Sequence, residues 1–244
     1  MSDHPIVSQA EWIEARRALL VQEKAWTRER DRLSELRRAL PWVKVEKDYL
    51  FQAAEGPVSF ADLFDGRSQL AVYHFMFGPD WEEGCPGCSF LCDQVDGARQ
   101  HFEHADLSFV AVSRGPIDKL MAYRKRMGWD FRWVSSAGSE FNADYHVSFP
   151  KEVRQDGVFY NFETAPDPGI DELPGVSVFY RDEAGAIFHT YSSYARGADA
   201  LLTAYAVLDL TPKGRNEAKA MSDWMRRRDE YPQPPAASAH ACCG

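Results

Sequence analysis

Gln69-Leu-Ala-Val-Tyr-His-Phe-Met-Phe77, followed eight positions later by Cys85-Pro-Gly-Cys88, decides how this chain is read. The first stretch is a short apolar run and reads as a buried strand. Two cysteines separated by two residues can close a small disulfide when they sit on the first turn of a helix. Pro86 falls where a helix accepts proline, because the N–H missing there has no intrahelical partner. A helix N-terminus carries partial positive charge and favours a thiolate over a thiol. A lowered thiol pKa separates a reactive cysteine from an inert buried one.

Working outward, Ser8-Gln-Ala-Glu11 is a capping-box pattern that opens a helix, with no proline until Pro41. Trp12, Leu19, Trp26, Leu33 and Leu40 recur every seven residues on a largely charged background. This narrow stripe fits a helix lying along its own domain or a dimer arm. Past the CxxC, Cys88 to Glu103 reads as a helix, and Leu107-Ser-Phe-Val-Ala-Val-Ser113 as the next strand. Pro116 to Gly128 reads as a helix with proline at its start and glycine after its end. Phe131 to Val134 is a short strand. Val176 to Arg181 and Ala186 to Tyr191 form a hairpin around Asp182-Glu-Ala-Gly185, and Asp199 to Leu208 is a last helix. Strand-helix-strand, an insertion over about 135–172, then hairpin-helix is an α/β pattern in the order of a thioredoxin fold. Pro174 falls where that fold places a proline facing the CxxC, and a cis peptide is expected there. The domain reading is a helical arm at 1–40, a thioredoxin-like domain at 41–210, and an extension at 211–244 with a disordered tail.

Composition bounds the function. The chain has 244 residues, 45% of them apolar, and a formal charge of −9, which argues against nucleic acid as a partner. No apolar run is long enough to span a membrane. Met1-Ser-Asp-His-Pro5 lacks the pattern of a secretory signal. Five cysteines in a chain this large are not a disulfide scaffold; a cytoplasmic protein with reduced thiols is expected.

The chain resembles the bacterial thioredoxin-like proteins catalogued as domain of unknown function 899, often labelled predicted dithiol-disulfide oxidoreductases. The matching stretches include Leu40-Pro-Trp-Val-Lys-Val-Glu-Lys-Asp-Tyr49, Phe109-Val-Ala-Val-Ser-Arg114, Arg126-Met-Gly-Trp-Asp-Phe131, Trp133-Val-Ser-Ser-Ala-Gly-Ser139, Thr190-Tyr-Ser-Ser-Tyr-Ala-Arg-Gly197 and Leu208-Asp-Leu-Thr-Pro-Lys-Gly214. The resemblance covers nearly the whole chain and implies a thioredoxin-like fold. Gly84 precedes Cys85 and no threonine lies nearby, which departs from the Thr-x-x-Cys loop of a peroxiredoxin.

The expected chemistry is thiol–disulfide exchange with no organic cofactor, acting on a disulfide-containing protein or a small thiol substrate and drawing on a reductant system. Cys85 is the expected nucleophile and Cys88 the resolving thiol. Trp81 and Pro174 are expected to line the substrate groove. Asp80 and Glu83 either tune the thiols or are solvated, and Arg114 either approaches Cys85 or pairs on the surface. Cys92 is a small buried hydrophobe or a third ligand with Cys85 and Cys88 in a metal-binding, non-catalytic alternative. His101 lies about 13 Å beyond Cys92 along a helix, too far to join that metal, so His74 would be needed. A dimeric scaffold built on the N-terminal helix is the other alternative. Cys242-Cys243 resembles the thiol-shuttling ends of mercuric reductases and is a candidate relay to the CxxC.

Overall fold

In the computed structural model, residues 4–217 and 224–232 are described. The chain divides into two compact units, residues 1–42 and 43–244. The first holds α1, Gln9–Arg38. Ser8 and Glu11 close a reciprocal capping box: the Glu11 N–H donates to Ser8 Oγ at 3.3 Å, and the Ser8 N–H to the Glu11 carboxylate at 2.9 Å. Arg37 and Arg38 complement the negative end of the helix dipole. No residue of α1 is buried; Trp12 is 53% exposed and Trp26 64%.

The second unit is built on one eight-stranded sheet. Its elements run β1 (Val43–Lys44), β2 (Leu50–Ala53), β3 (Gly56–Ser59), β4 (Gln69–His74), α2 (Pro86–Asp96), α3 (Arg99–His104), β5 (Leu107–Ser113), α4 (Ile117–Met127) and β6 (Arg132–Ser135). There follow α5 (Phe141–Asp144), α6 (Lys151–Arg154), β7 (Val158–Tyr160), β8 (Glu163–Ala165), β9 (Gly175–Arg181), β10 (Ile187–Tyr194) and α7 (Thr203–Leu208). The sheet order is β1-β10-β9-β4-β5-β6-β2-β3. β4 pairs parallel with β5 and antiparallel with β9, which pairs antiparallel with β10. A parallel β4-α2-β5 unit joined to a β9-β10 hairpin and a closing helix is the thioredoxin fold. The expected fold class therefore stands, with a long N-terminal helix and an insertion before the hairpin.

The central strands are buried on both faces, which explains their unbroken apolar runs. Alternation then sorts their side chains. Tyr73, Phe109 and Ala111 join Leu91, Cys92, Leu120, Tyr123, Trp129 and Trp133 in the layer under the helices. Leu70, Val72, Val110 and Val112 join Phe51, Phe60, Phe64, Phe141 and Phe179 on the other face. At about 25 cal/mol per Å² of apolar area removed from water, these two aromatic layers supply most of the driving force for this unit.

Two details depart from the sequence reading. The helix expected over Cys88 to Glu103 breaks into α2 and α3 at Gly97, a poor helix former. Just before the break, the Asp96 carboxylate accepts the backbone N–H groups of Asp130 and Phe131 at 3.0 and 2.9 Å, which fixes the helix end to the strand entering β6. The insertion packs Val147, Phe149, Val158 and Tyr160 against Tyr194 of β10. Finally, every peptide among the described residues is trans, Pro174 included, which corrects the expected cis isomer. The Pro174 carbonyl accepts the Tyr160 hydroxyl at 2.7 Å, and that hydroxyl also accepts the Ala195 N–H at 2.9 Å. The Tyr160 hydroxyl thus ties the insertion to the residue before β9 and the residue after β10.

Candidate functional site

The dithiol forms where β4 runs out beneath α2. After His74 the chain stays in the core through Phe75, Met76 and Phe77. The Gly115 N–H binds the Phe77 carbonyl at 2.8 Å, anchoring the exit to the end of β5. The Cys85 N–H donates back to the Met76 carbonyl at 3.2 Å, so the loop returns to the strand end before the helix begins. Gly84 is required at that return: a Cβ there would lie 2.7 Å from the Phe75 ring and 2.8 Å from the Tyr123 ring. Cys85 is the N-cap of α2 and Pro86 follows inside its first turn. Ser89 secures the turn, its Oγ lying 2.9 Å from the Cys85 carbonyl and 2.9 Å from the Tyr123 hydroxyl.

Cys85, Cys88 and Cys92 are free thiols. Cys85 is half-buried, while Cys88 and Cys92 are buried. The Cys85 thiol is brought down to about 6. The main cause is the hydrogen bond from the Cys88 thiol, reinforced by the backbone N–H groups of Cys88 and Gly87 and by the Arg227 guanidinium; burial opposes them. The N-cap position supplies those amides, since the first N–H groups of a helix have no intrahelical acceptor. Burial and the neighbouring Cys85 sulfur push Cys88 well up, so it stays protonated as the donor. The Tyr73 hydroxyl and the Met76 N–H, at 3.4 Å, also reach the Cys88 sulfur. Burial pushes Cys92 well up as well. The pair is asymmetric: one accessible thiolate and one sheltered thiol.

Arg227 comes from the far end of the described chain. Its Nε and Nη2 donate to the Gly84 carbonyl at 3.1 and 2.8 Å, next to Cys85. Its Nη1 pairs with Glu83 at 3.1 Å and Glu230 at 2.7 Å. Around it, Trp224 meets Phe90 edge-on at 5.8 Å, Arg228 lies 3.6 Å from Asp93, and Asp229 pairs with Arg126 at 2.6 Å. Residues 224–230 therefore form a clasp over α2.

The structure sorts the other candidates. Pro174 lines a cavity of about 220 Å³ together with Cys85, Cys88 and Tyr73. Trp81 is not among its walls; the ring packs under Gly78, whose Cβ position is 2.9 Å from the indole nitrogen. Glu83 pairs with Arg126 and Arg227, so its charge is compensated rather than aimed at the thiols. Asp80 is exposed. Arg114 is bound to buried Glu172, not to Cys85, because the fold turns the end of β5 toward the insertion. His74 is buried and bonded to Ser177 at 2.8 Å. Among the described residues, no group of three or more His, Cys, Asp and Glu side chains is arranged to hold a metal, so the Cys85/Cys88/Cys92 alternative has no site there. Cys242 and Cys243 lie outside the described residues. Sequence reasoning missed Tyr73 and Arg227. Tyr73 was findable, since strand alternation from Ala71 places it under the following helix; nothing in sequence points from Arg227 back to Gly84.

Strand order and the cysteine pair at a helix terminus define a thioredoxin-fold protein with a dithiol. Within that class, the chain belongs to the bacterial proteins of unknown function DUF899, whose family model matches residues 1–231. No curated protein matches it. Solved structures similar to it include peroxidoxin BcpB from Mycobacterium tuberculosis, at 15% identity and a TM-score of 0.45, covering 67% of this chain and 94% of that one. Peroxiredoxin Q from Xanthomonas campestris gives 15% and 0.42, covering 64% and 87%. The mitochondrial 2-Cys peroxiredoxin from Plasmodium falciparum gives 11% and 0.40, covering 69% and 92%. Among the described residues no helix is long and apolar enough to cross a membrane.

Proposed function

We propose that the chain is a dithiol–disulfide oxidoreductase with Cys85 as nucleophile and Cys88 as resolving thiol. The observation that carries this is the asymmetry of the pair: Cys85 sits half-exposed at the N-cap with its thiol near 6, and Cys88 lies buried beneath it as a proton-bearing donor. The Cys85 thiolate attacks one sulfur of a substrate disulfide; the S–S bond breaks and the other sulfur leaves as thiolate. Once Cys85 is in the mixed disulfide its negative charge is gone, and with it one cause of the high Cys88 pKa. Cys88 then yields its proton to the departing thiolate and attacks Cys85 Sγ. The substrate gains two electrons and the protein is left with a Cys85–Cys88 disulfide, which a dithiol reductant returns to the thiol form. The reading suits the cytoplasm, where such a pair is kept reduced.

The partner is a disulfide-bearing protein or small molecule. We also propose that α1 dimerises the protein through its seven-residue stripe. The redox reading is tested by oxidising the reduced protein with a small disulfide and mapping the bonds by peptide mass. A Cys85–Cys88 disulfide, and a trapped Cys85 adduct in Cys88→Ser, are expected. Cysteines that remain free under those conditions would refute it.

A further inference from the structure

We infer that the cavity flanking Cys85 seats the apolar substituent of the disulfide that Cys85 attacks, and that Met225 is the wall that sets its size. This rests on the disulfide-exchange reading. The cavity, of about 220 Å³, is lined by both cysteines of the motif. Its walls include Phe90, Leu91, Pro174, Leu202 and Met225. Apart from the Cys85 thiolate, Asp199 is the single charged side chain among the described residues that line it, and its carboxylate already pairs with Arg196 at 2.8 Å and Arg215 at 3.4 Å. The other polar group, the Tyr73 hydroxyl, is turned to Cys88.

A substituent bearing carboxylates would lose its water here and meet Asp199 rather than a free cation, which is costly. An alkyl or aryl group instead exchanges water for apolar wall. Met225 comes from the clasp and is buried at 6% exposure, with its Cε 3.4 Å from the Cβ position of Gly87. It closes the side of the cavity next to the nucleophile. An unbranched thioether adjusts to the shape of what it covers, which suits a wall meeting small organic groups.

The chemistry is the exchange step already written. Cys85 Sγ bonds to the sulfur carrying the apolar group and the partner sulfur leaves as thiolate. Cys88 then displaces the apolar thiol, which takes up the Cys88 proton.

The test uses the full-length reduced protein and measures the second-order rate of Cys85–Cys88 oxidation by rapid acid quench and peptide mass. The probes are mixed disulfides of 2-mercaptoethanol with ethane-, butane- and hexanethiol, with oxidised glutathione as the ionic comparator. Rates are expected to rise about fourfold per methylene until the chain outgrows the cavity. Oxidised glutathione should be the slowest. Ala198→Phe, which adds a ring at another residue of the cavity lining, should cut the hexyl-to-ethyl rate ratio at least tenfold. Met225→Ala should shift the optimum to a longer chain. A flat series, or faster reaction with oxidised glutathione than with the hexyl probe, overturns the inference while leaving the exchange reading intact. So does an unchanged ratio in both variants. No oxidation by any probe overturns both.

Discussion

Replacing Cys88 by alanine separates the hydrogen bond from everything else that acidifies Cys85. With the thiol near 6, roughly nine-tenths of Cys85 is thiolate at pH 7. A hydrogen bond to a charged group contributes about 1.5–3 kcal/mol, and each 1.36 kcal/mol moves a titration midpoint tenfold. Cys88→Ala should therefore raise the Cys85 midpoint to between about 7 and 8. The thiolate fraction at pH 7 then falls to between about one-half and one-tenth. The Gly87 and Cys88 amides and Arg227 remain in the variant, so the midpoint should stop short of an unperturbed thiol at about 8.5. Cys88→Ser keeps a donor in place and should stay near the native midpoint. The assay is iodoacetamide alkylation against pH, followed on the Cys85 peptide by mass so that Cys92 and the tail cysteines do not contribute. A midpoint that stays near 6 in Cys88→Ala would show that the helix terminus and Arg227 hold the thiolate unaided, and the reasoning fails. A value near 6 for Cys88→Ala together with a raised value for Cys88→Ser would fail it equally.

Other perturbations test other parts of the structure. Arg227→Met should raise the same midpoint by less than Cys88→Ala does, because Glu83 and Glu230 already offset part of its charge; an equal or larger rise contradicts this ranking. Gly84→Ala drives a methyl into the Phe75 and Tyr123 rings and should destabilise the protein by about 1–3 kcal/mol in urea unfolding; an unchanged unfolding midpoint contradicts the close approach. Burial pushes Glu172 from 4.5 up to about 7 despite Arg114. A carboxyl raised in the folded state favours folding while protonated, and that advantage is lost as pH climbs from about 4.5 through 7. The stability of the native protein relative to Glu172→Gln should accordingly fall by up to about 3 kcal/mol across that window, and parallel stability profiles at pH 5 and 7.5 would refute it. Deleting residues 1–39 should convert a dimer to a monomer by light scattering; a full-length protein that is already monomeric at high concentration ends the dimer proposal.

The fold was legible because its decisive elements are local. The strand entering the CxxC, the proline inside the first turn of α2 and the apolar run of β5 each announce themselves within ten residues. Gly128 does so too: it closes α4 at φ +63, a backbone region open to glycine. The helix break at Gly97 was not legible, because it depends on Asp96 finding two amides on the strand entering β6. Nor was the contact at Pro174, whose carbonyl accepts the hydroxyl of a tyrosine from the insertion. That Cys85, Cys88 and Pro174 would lie around one cavity could be read from the motif and the element order. Arg114 looked equally suited to approach the thiolate, and the fold committed it to Glu172 instead. The cation beside the motif is Arg227, reached across 143 residues from Gly84, and no local pattern encodes that pairing.

That separation has a temporal side. A chain grows at about 5–20 residues per second, so Arg227 is made some 7–30 s after Gly84. Through that interval the newly made motif has neither its guanidinium nor the Met225 wall. Without that cation, one of the causes that lower the Cys85 thiol is missing. On the proposed exchange reading, the fully acidified Cys85 is expected only once the far segment has docked, after translation has passed Arg227.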